Sequence, residues 1–211
     1  MSDKIAPIEH RIETIAAVLA AVVIVAIAWS AYQSTLWGGI QTFLLRDVNS
    51  ASLKFVLKTI QQGQSNTIDA MTFIEYVNAL NSNDQNHSKF YFERFRPEMK
   101  VAVQAWLETN PFENPNAPPH PLAMKEYNRT FAEEAKQFAK ESESKLQEAQ
   151  QANRNSDNYV LLTVLYSSVL FTGGIITRFP TRQLRLIVLV AGLVIFSIAT
   201  VMLFFMPVTL E

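Results

Sequence analysis

The sequence contains no cysteine, which removes disulfides, thiolate metal ligands and cysteine nucleophiles together. It has little net charge, formally -1, so no long-range field draws it to a nucleic-acid polyanion. Its three histidines, His10, His87 and His120, are far apart, and none has a second histidine at three or four residues. Six glycines are scattered without a phosphate-binding loop or a Gly-x-Ser-x-Gly elbow. Glu93 and Glu98 flank Pro97 five residues apart, a spacing that suits surface or salt-bridge roles better than paired acid–base work. Nothing here points to a catalytic residue, a metal or a cofactor.

Charge is also missing locally. Of 211 residues, 18% are charged, but three segments have none. Ile15 to Trp29 runs apolar and continues through Ser30, Ala31 and Tyr32. Tyr159 to Thr177 is closed by Arg178, and Leu186 to Met206 is bounded by Arg185 and Pro207. A hydrocarbon core needs about 20 helical residues to cross, and each run supplies that length. A water-soluble core helix of this length would carry a polar stripe, and the second and third runs have none.

The first run has a competing reading as a cleaved signal peptide, because Lys4 and Arg11 precede it and Ala26-Ile27-Ala28 resembles a cleavage site. Asp3, Glu9 and Glu13 in the leading segment oppose that reading. So does the apolar pattern, which continues through Trp29, Tyr32, Leu36, Ile40 and Phe43. An anchor fits better.

The turn between the second and third runs holds Arg178, Arg182 and Arg185 and no acid, a cytoplasmic signature. The expected layout is a cytoplasmic tail over 1–12, spans over 13–32, 159–177 and 186–206, and a cytoplasmic loop over 178–185. A helical periplasmic domain over 33–158 and a periplasmic tail over 207–211 complete it. The chain is then a multi-pass protein of a bacterial inner membrane, with the inverted orientation as the alternative. Asn86-His87-Ser88 and Asn128-Arg129-Thr130 match glycosylation sequons, a pattern frequent by chance.

The fold class expected is all-α, with the extramembrane domain built on long extensions of the first and second spans. No stretch alternates long enough to be a strand. The first span continues to about Gln61, and Gly63 marks a stop. Asn66 caps a second helix to Leu80 with Ile68, Met71, Ile74 and Val77 on its buried face. The polar run from Asn81 to Asn86 is a turn, and a short helix covers Ser88 to Phe95. Pro97 opens another helix to Thr109, faced by Met99, Val103 and Trp106. Asn110 to Pro121 holds five prolines in twelve residues and reads as a stiff extended strap, or else a proline-rich ligand for another protein. A last long helix starts near Leu122 or Ala123 and enters the second span. Tyr127, Phe131, Ala135, Phe138, Ser142, Leu146 and Ala149 give it a coiled-coil-like seam toward the first helix.

Phe90, Tyr91, Arg94, Arg96 and Trp106 form the densest aromatic and arginine cluster. Its plain reading is core aromatics with paired arginines, and its sharper one is an interaction surface, because these residue types dominate hot spots. Glu93-Arg94-Phe95-Arg96-Pro97-Glu98, Ala105-Trp106-Leu107, Asn114-Pro115-Asn116-Ala117-Pro118-Pro119 and Met124-Lys125-Glu126-Tyr127 together resemble a family of small uncharacterised bacterial inner-membrane proteins. Trp29-Ser30-Ala31-Tyr32-Gln33-Ser34 shares that look. The resemblance covers nearly the whole chain and implies no activity. Lys125 departs from a proline frequent at that place, which bears on where the last helix begins.

Two functions compete. One is a non-enzymatic, self-associating membrane protein that presents its outer domain to an envelope protein partner. Ala17 and Ala21, Ser30 and Ser34, and Gly173-Gly174 would allow close helix approach in lipid. The other is a homo-oligomeric channel with Ser168 and Thr172 as candidate pore-lining residues, since they share a face. Hydroxyls bonded to their own backbone are the plainer account of that pair. The lipid bilayer is the one partner common to both.

Overall fold

The computed structural model describes residues 6–127 and 129–210, with side chains described from Thr14 onward. The readings that rest on the side chains of Asp3, Lys4, Glu9, His10, Arg11, Glu13 and Asn128 lie outside the described residues. All described regular structure is helical: α1 (Ala6–Asn81), α2 (Gln85–Arg94), α3 (Pro97–Leu107), α4 (Thr130–Ile175) and α5 (Arg182–Phe205). Single 3-10 turns stand at Pro121–Ala123 and Ile176–Arg178. Three of the helices, α1, α4 and α5, are long and apolar enough to cross a membrane. The chain divides into two compact units, one of residues 1–47 with 144–211 and one of residues 48–143.

The first unit brings α1, α4 and α5 together. Val23, Tyr159, Leu162, Tyr166, Val169 and Ala199 form its buried centre, and Ala16, Ile176 and Leu189 form a smaller cluster. Thr172 Oγ1 would lie 2.7 Å from a Cβ placed on Gly192, so only glycine lets α5 approach α4 this closely. The outer surface is as apolar as the interior, with Val18, Val25, Ile187 and Phe204 all more than half exposed. A helix bundle in water hides such a surface, whereas a bundle in lipid displays it.

The second unit has an aromatic core of Phe73, Tyr76, Phe95, Met99, Val103, Trp106 and Tyr127. Phe73 meets Trp106 edge-on at 5.1 Å and Tyr76 meets Phe95 at 5.5 Å, the tilted geometry that the ring quadrupole favours. Met99, Val103 and Trp106 are buried on one face of α3, as their spacing predicts. Pro97 occupies the first turn of that helix.

Several expectations need correction. Helix α1 does not stop near Gln61, since it runs unbroken through Gly63 to Asn81. An interior glycine costs a helix only about 1 kcal/mol, and α1 is held on both sides of this one by contacts such as Lys58 with Glu134 and Asp69 with Arg96. Asn66 is not an N-cap, because its Oδ1 accepts from Gln62 Nε2 at 2.7 Å inside the helix. On its last turns Ile68, Met71 and Ile74 are exposed, and Asp69, Phe73 and Tyr76 are buried; of the expected face Val77 alone packs against the core. Two apolar stripes compete on this segment, and the one with the larger rings packs. Helix α4 starts at Thr130, so Tyr127 lies in the preceding loop and joins the core rather than a helical seam. The proline segment folds as successive turns, with Asn110 at φ +52°, rather than as an extended strap. Leu146, placed in the seam, is 40% exposed.

Candidate functional site

The most concentrated polar chemistry is in the second unit. Asp69 stands on the packed face of α1 with its side chain 2% exposed. A carboxylate so buried needs partners for both oxygens. Arg96, at the entrance to α3, supplies two: its Nε donates to Oδ1 at 3.1 Å and its Nη2 to Oδ2. Tyr127 donates its hydroxyl proton to Oδ2 at 2.7 Å, with Asn66 Oδ1 3.1 Å away. Arg96 Nη2 also donates to the Tyr127 oxygen at 3.4 Å. Burial, then the hydrogen bond to the Asp69 carboxylate, push the Tyr127 phenol up to about 12. The hydrogen bond to Asp69 likewise raises Arg96 above the usual guanidinium range.

The chemical consequence is a locked cluster. A phenol that holds its proton to about 12 supplies no base near neutral pH, and both oxygens of the carboxylate are engaged in hydrogen bonds. Its role is mechanical: α1, the start of α3 and the loop before α4 are tied at one point. The contact between α1 and α4 inside this unit has the same character. Lys58 pairs with Glu134 at 2.6 Å and lies over the Phe131 ring, and Lys54 lies over Phe138. Ser52 and Ser142 share a hydrogen bond of 2.9 Å. Asp84 caps α2 by accepting from the His87 amide, and the bonds from His87 hold its carboxyl below the usual range.

The aromatic and arginine cluster is divided between interior and surface. Trp106 is buried, donates to the Pro118 carbonyl at 2.7 Å and meets Phe112 edge-on. Arg96 is committed to Asp69. Phe90 remains exposed, with the Arg94 guanidinium stacked 3.5 Å above its ring and half-buried Tyr91 against its edge. Phe90, Tyr91 and Arg94 are therefore the members that a partner could touch.

In the first unit the ends of the three apolar runs are clasped by polar groups. Gln33, fully buried, donates to the Thr209 carbonyl at 2.7 Å and accepts from the Thr209 amide at 3.0 Å. Trp37 and Tyr159 both donate to the Pro207 carbonyl, and Ser156 donates to the Ser34 carbonyl. The segment after α5, which has no helix of its own, thus has its Pro207 carbonyl and both Thr209 backbone groups bonded to side chains of α1 and α4. Ser168 donates to the Val164 carbonyl and Thr172 to the Val169 carbonyl, so both candidate pore hydroxyls are bonded to their own helix. Ser168 lies on the exposed face, whereas Thr172 is half-buried against α5. Arg178 and Arg182 are exposed, and Arg185 donates through Nε to the Phe179 carbonyl, which closes the turn before α5.

Sequence reasoning missed Asp69 and Gln33. Each carried a signal, since Asp69 is the one acid between Asp47 and Glu75 and Gln33 extends the Val23–Ser30 face by one more turn. Among the described residues, no three His, Cys, Asp or Glu side chains are grouped to hold a metal ion. No protein-family model, curated protein or solved structure matches the chain.

Proposed function

We propose that the chain is a non-enzymatic integral membrane protein of a bacterial inner membrane that self-associates and presents its helical domain to an envelope protein partner. In this reading residues 33–158 face the periplasm, and Arg178, Arg182 and Arg185 hold the short turn in the cytoplasm. The resemblance to small inner-membrane proteins agrees with it.

One observation carries the proposal. In the second unit the Asp69, Arg96 and Tyr127 side chains are engaged in tying α1 to the start of α3 and the loop before α4, while large apolar side chains stand on its surface, among them Phe90, Val101, Phe112 and Met71. A domain built in this way is suited to binding other surfaces. Cross-linking in native membranes tests it. The expected product is a ladder of oligomers, with a further band where the envelope partner is captured. Monomer alone, across several cross-linker lengths, removes self-association.

A second reading, a homo-oligomeric channel, draws on Thr163, Ser167, Ser168 and Thr172, which line one side of α4 within an apolar span. Planar-bilayer recording of purified protein separates the two. Silence across voltages and pH leaves the scaffold reading ahead.

A further inference from the structure

The packed side of α1 in the second unit is described by Ala51, Gln62, Asp69, Phe73 and Tyr76. The opposite side, half a turn away, should be polar if it meets only water. It is not. Leu53, Leu57, Ile60, Met71 and Ile74 are each between 51% and 66% exposed. They stand at successive spacings of four and three residues, with Gln64 and Thr67 filling the two positions between Ile60 and Met71. At 3.6 residues per turn these seven positions form one stripe along six turns. The segment from Leu53 to Ile74 holds only three charged residues, and all three are turned toward the rest of the unit: Lys54 over Phe138, Lys58 on Glu134 and Asp69 on Arg96.

We propose that two copies of the chain pair through this stripe as parallel helices in register; this rests on the self-association proposed above and names its surface. The spacing is that of a heptad repeat, with Leu57, Gln64 and Met71 at one core position and Leu53, Ile60, Thr67 and Ile74 at the other. A parallel, in-register pair sets each residue against its own counterpart. That demands a stripe without charge, as here, and tolerates a single amide. Gln64 offers a donor and an acceptor to its copy, and one polar core position is the feature that selects register in such pairs. Each copy carries the same apolar amino-terminal segment, so anchoring in one membrane makes the two helices parallel.

Gly63 agrees with this. It flanks the stripe, and no atom lies within 4 Å of where its Cβ would be, so nothing in the chain itself requires glycine there. A second helix approaching closely would. With Val56 and Ile68 at its edges, the stripe offers on the order of 700 Å² per copy, close to what each side of a standard interface contributes. A helix lying on a lipid surface would instead flank its apolar face with outward lysines or arginines. The lysines of this segment turn the other way.

The chain is cysteine-free, so single cysteines report cleanly in full-length protein in native membranes. Ile60→Cys and Met71→Cys should each form a disulfide-linked dimer on mild oxidation. Thr59→Cys, exposed on the flank of the same helix, should not. Leu57→Glu with Ile60→Glu should lower the dimer fraction of detergent-solubilised protein by about tenfold or more, because the pair would oppose four like charges. If that variant fails to fold, the cysteine series decides alone. Light scattering of the unmodified chain separates the two proposals. A dimer that cross-links at neither stripe position, or equally at Thr59→Cys, overturns the stripe and leaves self-association standing. A monomer throughout overturns both. Cross-linking of Ile60→Cys to a different protein overturns the homotypic pairing.

Discussion

Asp69 ties three parts of the second unit, α1, the start of α3 and the loop before α4, through Arg96 and Tyr127. Removing it leaves the Arg96 charge and the Tyr127 hydroxyl without their acceptor in a partly closed site. Loss of one member of a fully buried ion pair costs about 3–5 kcal/mol, and the 31% exposure of the Arg96 side chain moves the expectation to about 2 kcal/mol. Asp69→Ala should therefore lower the urea midpoint of the unit by that equivalent, and Tyr127→Phe, which removes the bond donated to Asp69 and the longer one accepted from Arg96, by about 1–2 kcal/mol. The same cluster sets a pH response. The Tyr127 pKa is raised on folding, so the folded state holds the proton more tightly, and stability falls wherever the unfolded chain has already released it. Its contribution is intact below pH 10 and is lost as pH rises toward about 12, with the Tyr127→Phe protein lacking that component. Tyrosinate absorbance followed alongside helical circular dichroism checks this. An alkaline loss of helix that is identical in the two proteins would remove Tyr127 as its origin. Of this cluster the sequence displayed only a lone acid and a nearby arginine. The link to Tyr127 spans 58 residues and depends on a loop turn that no periodicity announces.

At the scale of elements, the pattern of apolar residues was a good guide where one stripe dominates and a poor one where two compete. Helix α3 has a single apolar face, and its buried residues were legible at once. The end of α1 has two, and which one packs was settled by rings brought from α2, α3 and Tyr127, information that is not local. Gly63 misled for a related reason, since a glycine reads as a stop only if nothing else holds the helix through it. The seam of α4 was legible in outline, with Ala135 buried and Phe131 and Phe138 facing α1. The rings are half-covered by lysine side chains, however, so the loss on truncation is smaller than for a closed core. Phe131→Ala with Phe138→Ala should cost about 1–2 kcal/mol, from lost ring area and cation–π contact. The expected readout is faster protease cleavage within residues 110–121, with membrane fractionation unchanged because insertion depends on the apolar runs. Unchanged protection would mean that these lysine–ring contacts contribute nothing to the unit.

At the scale of the whole molecule, the three apolar runs and the arginine-rich turn were the most legible features of the sequence, because a membrane span is a matter of length and uniform composition. The polar clasp at the ends of the apolar runs adds an argument that composition could not. Gln33 and Trp37 follow the first run, Ser156 and Tyr159 stand at the start of the second, and Pro207 and Thr209 follow the third. Their hydrogen bonds require those three ends to share one side of the bilayer, and three successive crossings place them so. Backbone and side-chain polar groups of this kind are stable at an interface and costly within hydrocarbon, which sets the clasp at a membrane boundary. The opposite boundary then receives Arg178, Arg182 and Arg185, whose positive charge favours the cytoplasm. A periplasm-dependent reporter fused after Asn83 should therefore be active, and the same reporter fused after Pro180 inactive. A fusion after Leu210 should match the first of these, because the clasp puts the carboxyl-terminal segment with the loop side. Activity after Pro180 with silence after Asn83 would reverse the orientation, and disagreement between Asn83 and Leu210 would break the three-span arrangement itself.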